Sequence, residues 1–242
     1  LELTILLGEA RIDNFYWRPR ESFRKAEQAV ALARELGDPL SEMTAHHFAA
    51  FNFDLALRDV AREHARAQRA LAERSRDRQV ILDAANVEAG VAVFAGDWDV
   101  VREAASRGLE ISPRFATLLS VMAEVEFHSG NAAKAVAYLP RTAHVMENVR
   151  STSDLAAFPF FAVVAATYSY VTGTDEYLPA VERAGQAVLS STMATPVFAC
   201  FAHSALGIRA CLTSDQDAAR ADVVQAFVER VSRGLMLFMP GR

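Results

Sequence analysis

Two glycine-centred turns, at Gly96 and Gly130, lie 34 residues apart, and each separates two apolar helical runs. A fixed period of this size is typical of stacked helical hairpins, none of which can bury its apolar face without a neighbour. Such an array buries its apolar side chains in one continuous core and leaves a long surface exposed. The interval therefore predicts an all-α repeat protein that offers a binding surface.

Apolar residues three or four positions apart predict the helices on both sides of these turns. Phe23, Ala26, Val30 and Ala33 form one such stripe, which stops at 37–39, a Gly-Asp-Pro sequence typical of a helix end. The same pattern over the whole chain predicts about twelve helices in six pairs. Turns within pairs are predicted near 18–19, 57–58, 96, 130, 173 and 214, and breaks between pairs at 37–39, 74–78, 112–113, 150–153 and 191–196.

The charge of the chain argues against nucleic acid as a direct partner. The net charge is −5 and the isoelectric point is near 5.7, whereas a segment that grips a phosphate backbone is usually basic. Arginines concentrate only at 62–78, where Glu63, Glu73 and Asp77 interleave with them. This mixture predicts a solvated helix face.

Two stretches without Asp, Glu, Lys or Arg, at 155–174 and 184–208, exceed the roughly 18 residues that indicate a membrane span. Pro159 interrupts the first, and the segment 190–196 interrupts the second. We therefore predict buried helices with turns rather than membrane spans. Within the first stretch, the aromatic residues of 158–161 are predicted to be core rather than the wall of a binding groove.

The cysteines and the chain ends favour a cytoplasmic protein that is a piece of a longer one. Cys200 and Cys211 are eleven residues apart on one predicted helix, about 16 Å along its axis, too far for a disulfide. We expect both to be reduced and buried. No signal peptide opens the chain, which starts at Leu1, and its end at 240–242 is abrupt.

The spacing of small residues and turns resembles the tetratricopeptide repeat. The third and fourth hairpins match that family's pattern at Ala89, at 96–98 (Gly-Asp-Trp), and at Gly108, Pro113, Leu119, Met122, Ala123, Gly130 and Ala135. They depart from it at Glu88, Val101, Thr142 and Glu147. The resemblance implies a right-handed superhelix of about six helical hairpins, and a single repeat domain over 1–242.

Two segments carry a further resemblance. The sequences at 29–39 and at 233–241 are similar to the repeats of large bacterial signalling proteins, the MalT-like members of the LuxR family and related ATPase-cyclase regulators. In that family an ATPase module precedes the repeats and a DNA-binding helix-turn-helix follows them. The resemblance implies a non-catalytic sensor or interaction domain of a transcriptional or signalling regulator. The alternative is a free-standing scaffold for protein assembly.

In the repeat family the first helix of each hairpin lines a concave groove. Carried onto this sequence, the lining residues that we predict to bind a ligand are Asn86, Phe94, Ser120, Glu124, Phe127 and Tyr170. This set combines apolar area with a few polar groups, as binding pockets do. The expected occupant is a protein, a peptide or a small effector.

No pattern in the sequence predicts catalysis, a metal or a cofactor. His46 and His47 are adjacent, so they point about 100° apart on a helix and cannot face one metal ion. His203 is predicted to be a satisfied core histidine. Asp97 and Asp99 flank Trp98 and are predicted to serve the start of a helix. Ser, His and Asp are present, but no nucleophile motif organises them.

Overall fold

The computed structural model of the chain describes residues 1–16, 18–51, 57–146, 152–191 and 195–232. Over these residues it contains twelve α-helices and no β-strand, which confirms the all-α class. The segment 233–241, on which one resemblance partly rests, lies outside the described residues. The helices are α1 (Glu2–Phe15), α2 (Pro19–Leu36), α3 (Pro39–Ala50), α4 (Arg58–Ser75), α5 (Arg78–Ala95), α6 (Trp98–Ile111), α7 (Ala116–His128), α8 (Ala132–Met146), α9 (Thr152–Thr172), α10 (Leu178–Ser190), α11 (Pro196–Leu212) and α12 (Gln216–Ser232).

The turn at Gly96 shows why the helix ends could be found in the sequence. Gly96 closes α5 with φ of 76°, a left-handed conformation that glycine adopts without a Cβ clash. Its N–H donates to the carbonyl of Val93, and the N–H of Asp97 donates to the carbonyl of Ala92. These bonds satisfy carbonyls that the helix itself leaves unpaired. Because such signals are local, the six turns within pairs all fall between consecutive helices as predicted.

The chain divides into two compact units, Leu1–Pro113 and Arg114–Arg242. The first contains α1 to α6, and each helix there packs against the next along the chain. The second contains α7 to α12, with α9 at its centre, since α9 contacts α7, α8, α10 and α11. The single repeat domain over 1–242 and its superhelical form stay predictions.

The first unit is built on alanine. Its helices meet at fully buried alanines such as Ala26, Ala29, Ala45, Ala49 and Ala85. A methyl group is the smallest side chain that still buries apolar area, so it lets neighbouring helix backbones approach closely.

The second unit is built on larger side chains. Phe158 and Phe161 on α9 are buried, together with Leu139 and Met146 on α8. This confirms both phenylalanines as core residues, while Phe160 between them is half-buried. The predicted interruption at Pro159 is wrong, because α9 continues through it. Pro159 is the eighth of the 21 residues of α9, so it removes a hydrogen bond inside the helix, and the burial of Phe158 and Phe161 beside it offsets that loss.

Part of α9 meets the length and composition of a membrane span. The 19 residues from Asp154 to Thr172 are long and apolar enough to cross a bilayer by those two measures alone. The buried face of α9 packs against the helices around it, as expected of a core helix in a soluble protein. The absence of a membrane span stays a prediction.

The cysteines are both free, and both lie on α11. Cys200 is buried, and its thiol lies 3.5 Å from the carbonyl oxygen of Ala226. Cys211 is exposed, so the prediction that it is buried is wrong. Eleven residues are about three full helical turns, so the two side chains lie on about the same face of α11. They differ in place along the helix, since Cys211 stands one residue before its end and Cys200 stands in its first half.

A glycine at a close helix contact gives a prediction for the second unit. A Cβ added at Gly185 on α10 would lie 3.0 Å from the Cγ and Cδ2 atoms of the buried Leu206. We expect Gly185→Ala to lower the free energy of unfolding by about 1–3 kcal/mol, as overpacking does. Chemical denaturation measures this.

Gly8 on α1 is the matched control, because a Cβ there meets nothing within 4 Å. Gly8→Ala should leave stability unchanged or raise it by up to about 1 kcal/mol through helix propensity. Equal effects at the two glycines would contradict the close approach of α10 and α11.

Candidate functional site

The six residues predicted to line a groove fall in both compact units. Asn86 and Phe94 lie on α5 in the first unit, and both are half-buried. The Oδ1 atom of Asn86 is buried and has no hydrogen-bond partner among the described residues. The other four residues lie in the second unit. Their role in binding stays a prediction.

Three of the six lie on α7, which is buried along most of its length. Ser120 and Glu124 are 1% and 4% exposed, so neither presents its side chain to solvent. The Oγ of Ser120 and the Oε2 of Glu124 have no hydrogen-bond partner among the described residues. Phe127 is half-buried and packs against the core of the second unit. The carboxylate of Glu124 raises the pKa of His128 by a hydrogen bond.

Tyr170 is the one predicted lining residue that is fully open to solvent, at 80% exposure. The predicted lining residues of the third and fourth hairpins lie 10, 6, 3 or 2 residues before the turn glycine. The same offsets from Gly173, with one further residue a turn earlier on the same face, give Phe160, Val163, Thr167, Tyr170 and Val171 of α9. Four of them are exposed and Phe160 is half-buried, on a helix whose other faces carry the core of the unit. None is charged.

The same count from the turn at Ser214 gives the corresponding residues of α11, which packs against α9. Of these residues, Ile208 and Cys211 are exposed, and Phe201, Ser204 and Leu212 are half-buried. Again none is charged. We call these two sets the α9/α11 stripe: Phe160, Val163, Thr167, Tyr170 and Val171 on α9, with Phe201, Ser204, Ile208, Cys211 and Leu212 on α11. Sequence reasoning named only Tyr170 of this set.

Two histidines form a buried pair that the sequence did not predict. His46 on α3 and His64 on α4 are buried, and their Nδ1 atoms lie 2.7 Å apart, so one imidazole donates to the other. Glu27 lies 3.1 Å from the Nε2 of His64. Glu42 and Arg34 lie beside the Nε2 of His46, at 3.6 Å and 3.3 Å. Burial is the main cause that lowers the pKa of His46 to about 4, and it also lowers the pKa of His64.

The other candidate chemical groups are also paired. His203 on α11 lies 2.9 Å from a carboxylate oxygen of Asp222 on α12, so it is satisfied, as expected. Asp97 stands at the start of α6 but makes no capping bond, and it binds Arg62 of α4 instead. That part of the capping prediction is wrong, because a basic partner from another helix competes for the carboxylate. Over the described ranges no cluster of three His, Cys, Asp or Glu residues could hold a metal.

The arginines of 62–78 are only partly the solvated face that the sequence predicted. Arg62 reaches Asp97, the residue before α6, and Arg69 reaches the buried Glu88 of α5 and Glu103 of α6. Arg66 stays exposed and makes no hydrogen bond or ion pair with any described residue. Arg62 and Arg69 each have one acidic partner within α4 as well, but the partners beyond α4 lie far along the sequence and left no local signal.

Comparison with known proteins supports the fold. No family model matches the chain, and no curated protein sequence does so either. Among solved structures, the crystal structure of BtubC (BKLC) from P. vanneervenii is similar, with a TM-score of 0.60. The match covers 91% of this chain and 94% of that chain at 19% sequence identity. The structural similarity shows that the two chains share a fold, and at this low sequence identity it shows nothing about their activities.

Proposed function

We propose that this chain is a non-catalytic helical-repeat domain of a bacterial transcriptional or signalling regulator. It would work in the cytoplasm as a sensor or interaction module that binds a protein or peptide. The observation that carries the proposal is the α9/α11 stripe, an uncharged and largely apolar surface on two helices whose other faces are buried. Exposed apolar surface of this kind commonly marks an interaction site.

The expected partner follows from the chemistry of the stripe. Tyr170, Val171 and Ile208 are 80%, 69% and 41% exposed, so they can bury apolar area against another molecule. Tyrosine is enriched among residues that dominate binding energy. Because the stripe has no charged side chain, it fits an uncharged peptide face or apolar helix face better than a charged one. The hydroxyl groups of Thr167 and Ser204 donate to carbonyls of their own helices, so they would offer a partner acceptor contacts.

A regulator also needs a way to pass binding on to its output. A partner that binds one conformation of the repeats more tightly than another shifts the population between them. Attached output domains would respond to that shift. The sequence similarity at 29–39 to repeats of bacterial regulators supports this form of the proposal over the free-standing scaffold.

Selection from a displayed peptide library tests the proposal, with Tyr170→Asp and Ile208→Asp as variants. We expect the selected peptides to be apolar and uncharged along the contacting face. Each variant should weaken them by more than about 1 kcal/mol, as the loss of a dominant contact does. Titration calorimetry on the selected peptides measures the change.

Tyr16→Asp is the matched control, since Tyr16 is also exposed, at 49%, but lies at the end of α1 in the other unit. It should leave the affinity unchanged. Peptides that bind all three variants as well as the parent would place binding elsewhere and contradict the proposal. The full-length gene distinguishes the regulator from the free-standing scaffold. An ATPase module upstream or a helix-turn-helix downstream would support the regulator, and the absence of both would support the scaffold.

A further inference from the structure

A cleft of about 410 Å³ lies between α4 and α6 in the first unit. Its apolar lining includes Ala65 from α4, Val91 and Ala92 from α5, and Val100 from α6. The first three are buried and Val100 is exposed at the edge. The volume falls within the range of small-molecule sites, about 300–1,000 Å³. This cleft shares no helix with the α9/α11 stripe.

The carboxylates of the cleft are all paired. Asp97 binds Arg62, and Glu73 lies 2.9 Å from the Nε of Arg69. Glu103 lies 3.2 Å from Arg69 and 3.3 Å from Arg107. The buried Glu88 accepts from the same two arginines, so it is held between α4 and α6. These ion pairs fix the walls of the cleft.

Two arginines of the cleft, by contrast, have N–H donors without an acceptor among the described residues. Arg66 lines the cleft, is exposed, and has no hydrogen bond or ion pair with any described residue. One helical turn before it, the Nε of Arg62 is buried and has no acceptor within the described part of the chain. The guanidinium group of Arg66, beside the apolar lining of the cleft, is therefore available to donate hydrogen bonds to a bound ligand.

The geometry points to a binding site for a small amphipathic monocarboxylate in this cleft. The carboxylate would accept from Arg66 in the two-bond geometry that arginine offers to carboxylates. The apolar body would lie over Ala65, Val91 and Ala92 and bury the edge of Val100. The site is separate from the proposed function, which rests on other helices.

The charges of the cleft decide the class of ligand. Together with Arg107, which shares two of the carboxylates, the residues that line the cleft include four arginines and four acidic residues. A polyanion such as a nucleic-acid backbone would meet as many carboxylates as guanidinium groups. A single negative charge meets Arg66, the one cation of the set that has no partner among the described residues.

Titration of the chain with octanoate, followed by amide chemical shifts, tests the proposal. Saturable shifts should appear in α4 and α6 around the cleft. Octanamide has the same apolar body without the charge, and it should bind at least about tenfold more weakly, as the loss of a hydrogen bond to a charged group predicts. Arg66→Gln should weaken octanoate by a similar factor and leave octanamide unchanged.

Arg24→Gln is the matched control, because Arg24 is also an exposed arginine of the first unit but lies on α2 outside the cleft. It should bind octanoate like the parent chain. Octanoate that binds Arg66→Gln as tightly as the parent would overturn the proposal, and so would shifts confined to α9 and α11. Unchanged circular dichroism of Arg66→Gln would show that the variant is folded, so that lost binding is lost recognition.

Discussion

Replacement of Phe161 by alanine is expected to lower the free energy of unfolding by about 3–5 kcal/mol, the usual loss for a buried phenylalanine. Phe161 is 0% exposed and lies at the centre of the core of the second unit. The helix that carries it contacts four others, so few neighbours can move to fill the cavity. Urea denaturation followed by circular dichroism measures the loss.

Val163, two residues further along α9, provides the control because its side chain is 37% exposed. Val163→Ala should change stability by less than about 1 kcal/mol, since surface substitutions away from special features have small effects. Similar losses for both variants would mean that α9 is not the central helix of this unit. The sequence predicted Phe161 as a core residue, but only the structure showed that Val163, in the same apolar run, is exposed.

Acidification from pH 7 to pH 4 is expected to destabilise the first unit through its buried histidines. In the folded chain the pKa of His46 is lowered to about 4, first by burial and then by the charges of His64 and Arg34. In the unfolded chain an imidazole titrates near pH 6.5. Between these values the unfolded state binds more protons, so stability is full above about pH 6.5 and falls as the pH drops toward about 4. The loss from His46 alone is about 3 kcal/mol.

His46→Gln isolates this contribution. The groups facing the pair are Arg34 and Glu27 from α2, Glu42 from α3 and Glu63 from α4, and these remain in the variant. Denaturation of parent and variant at each pH should give curves that converge as the pH falls from about 6.5 to about 4. Above pH 7 the difference between them should be constant, which is the internal control. Parallel curves for parent and variant would mean that folding does not lower the pKa of His46.

The buried Glu88 shows how the same ion pairs serve both stability and a candidate site. Its carboxylate joins Arg69 of α4 to Arg107 of α6 across α5. A buried carboxylate needs such partners because desolvation is costly. Holding α4 and α6 at fixed distance also leaves the cleft between them and leaves Arg66 free to meet a ligand.

The sequence alone determined the elements of this fold. Gly37, Gly96, Gly130 and Gly173 adopt positive φ angles at helix ends, and Pro39 and Pro196 stand in the first turns of helices. These are local signals, written in residues that lie next to the structure they cause. Apolar spacing supplied the rest, because three or four residues return to the same helix face. The twelve helices of the described chain follow from this, but their packing does not, since α9 contacts α7, α8 and α11 besides its predicted partner α10.

The sites were decided by the tertiary structure. Ser120 and Glu124 were expected at an open groove but are buried, and Tyr170 of the same set is open to solvent. His64 meets His46 from 18 residues away, and Arg62 meets Asp97 from 35 residues away. Periodicity tells which residues share a helix face, but not which other face it meets. Exposure and ion pairing depend on that second fact, because they are properties of two helices in contact and not of either sequence alone.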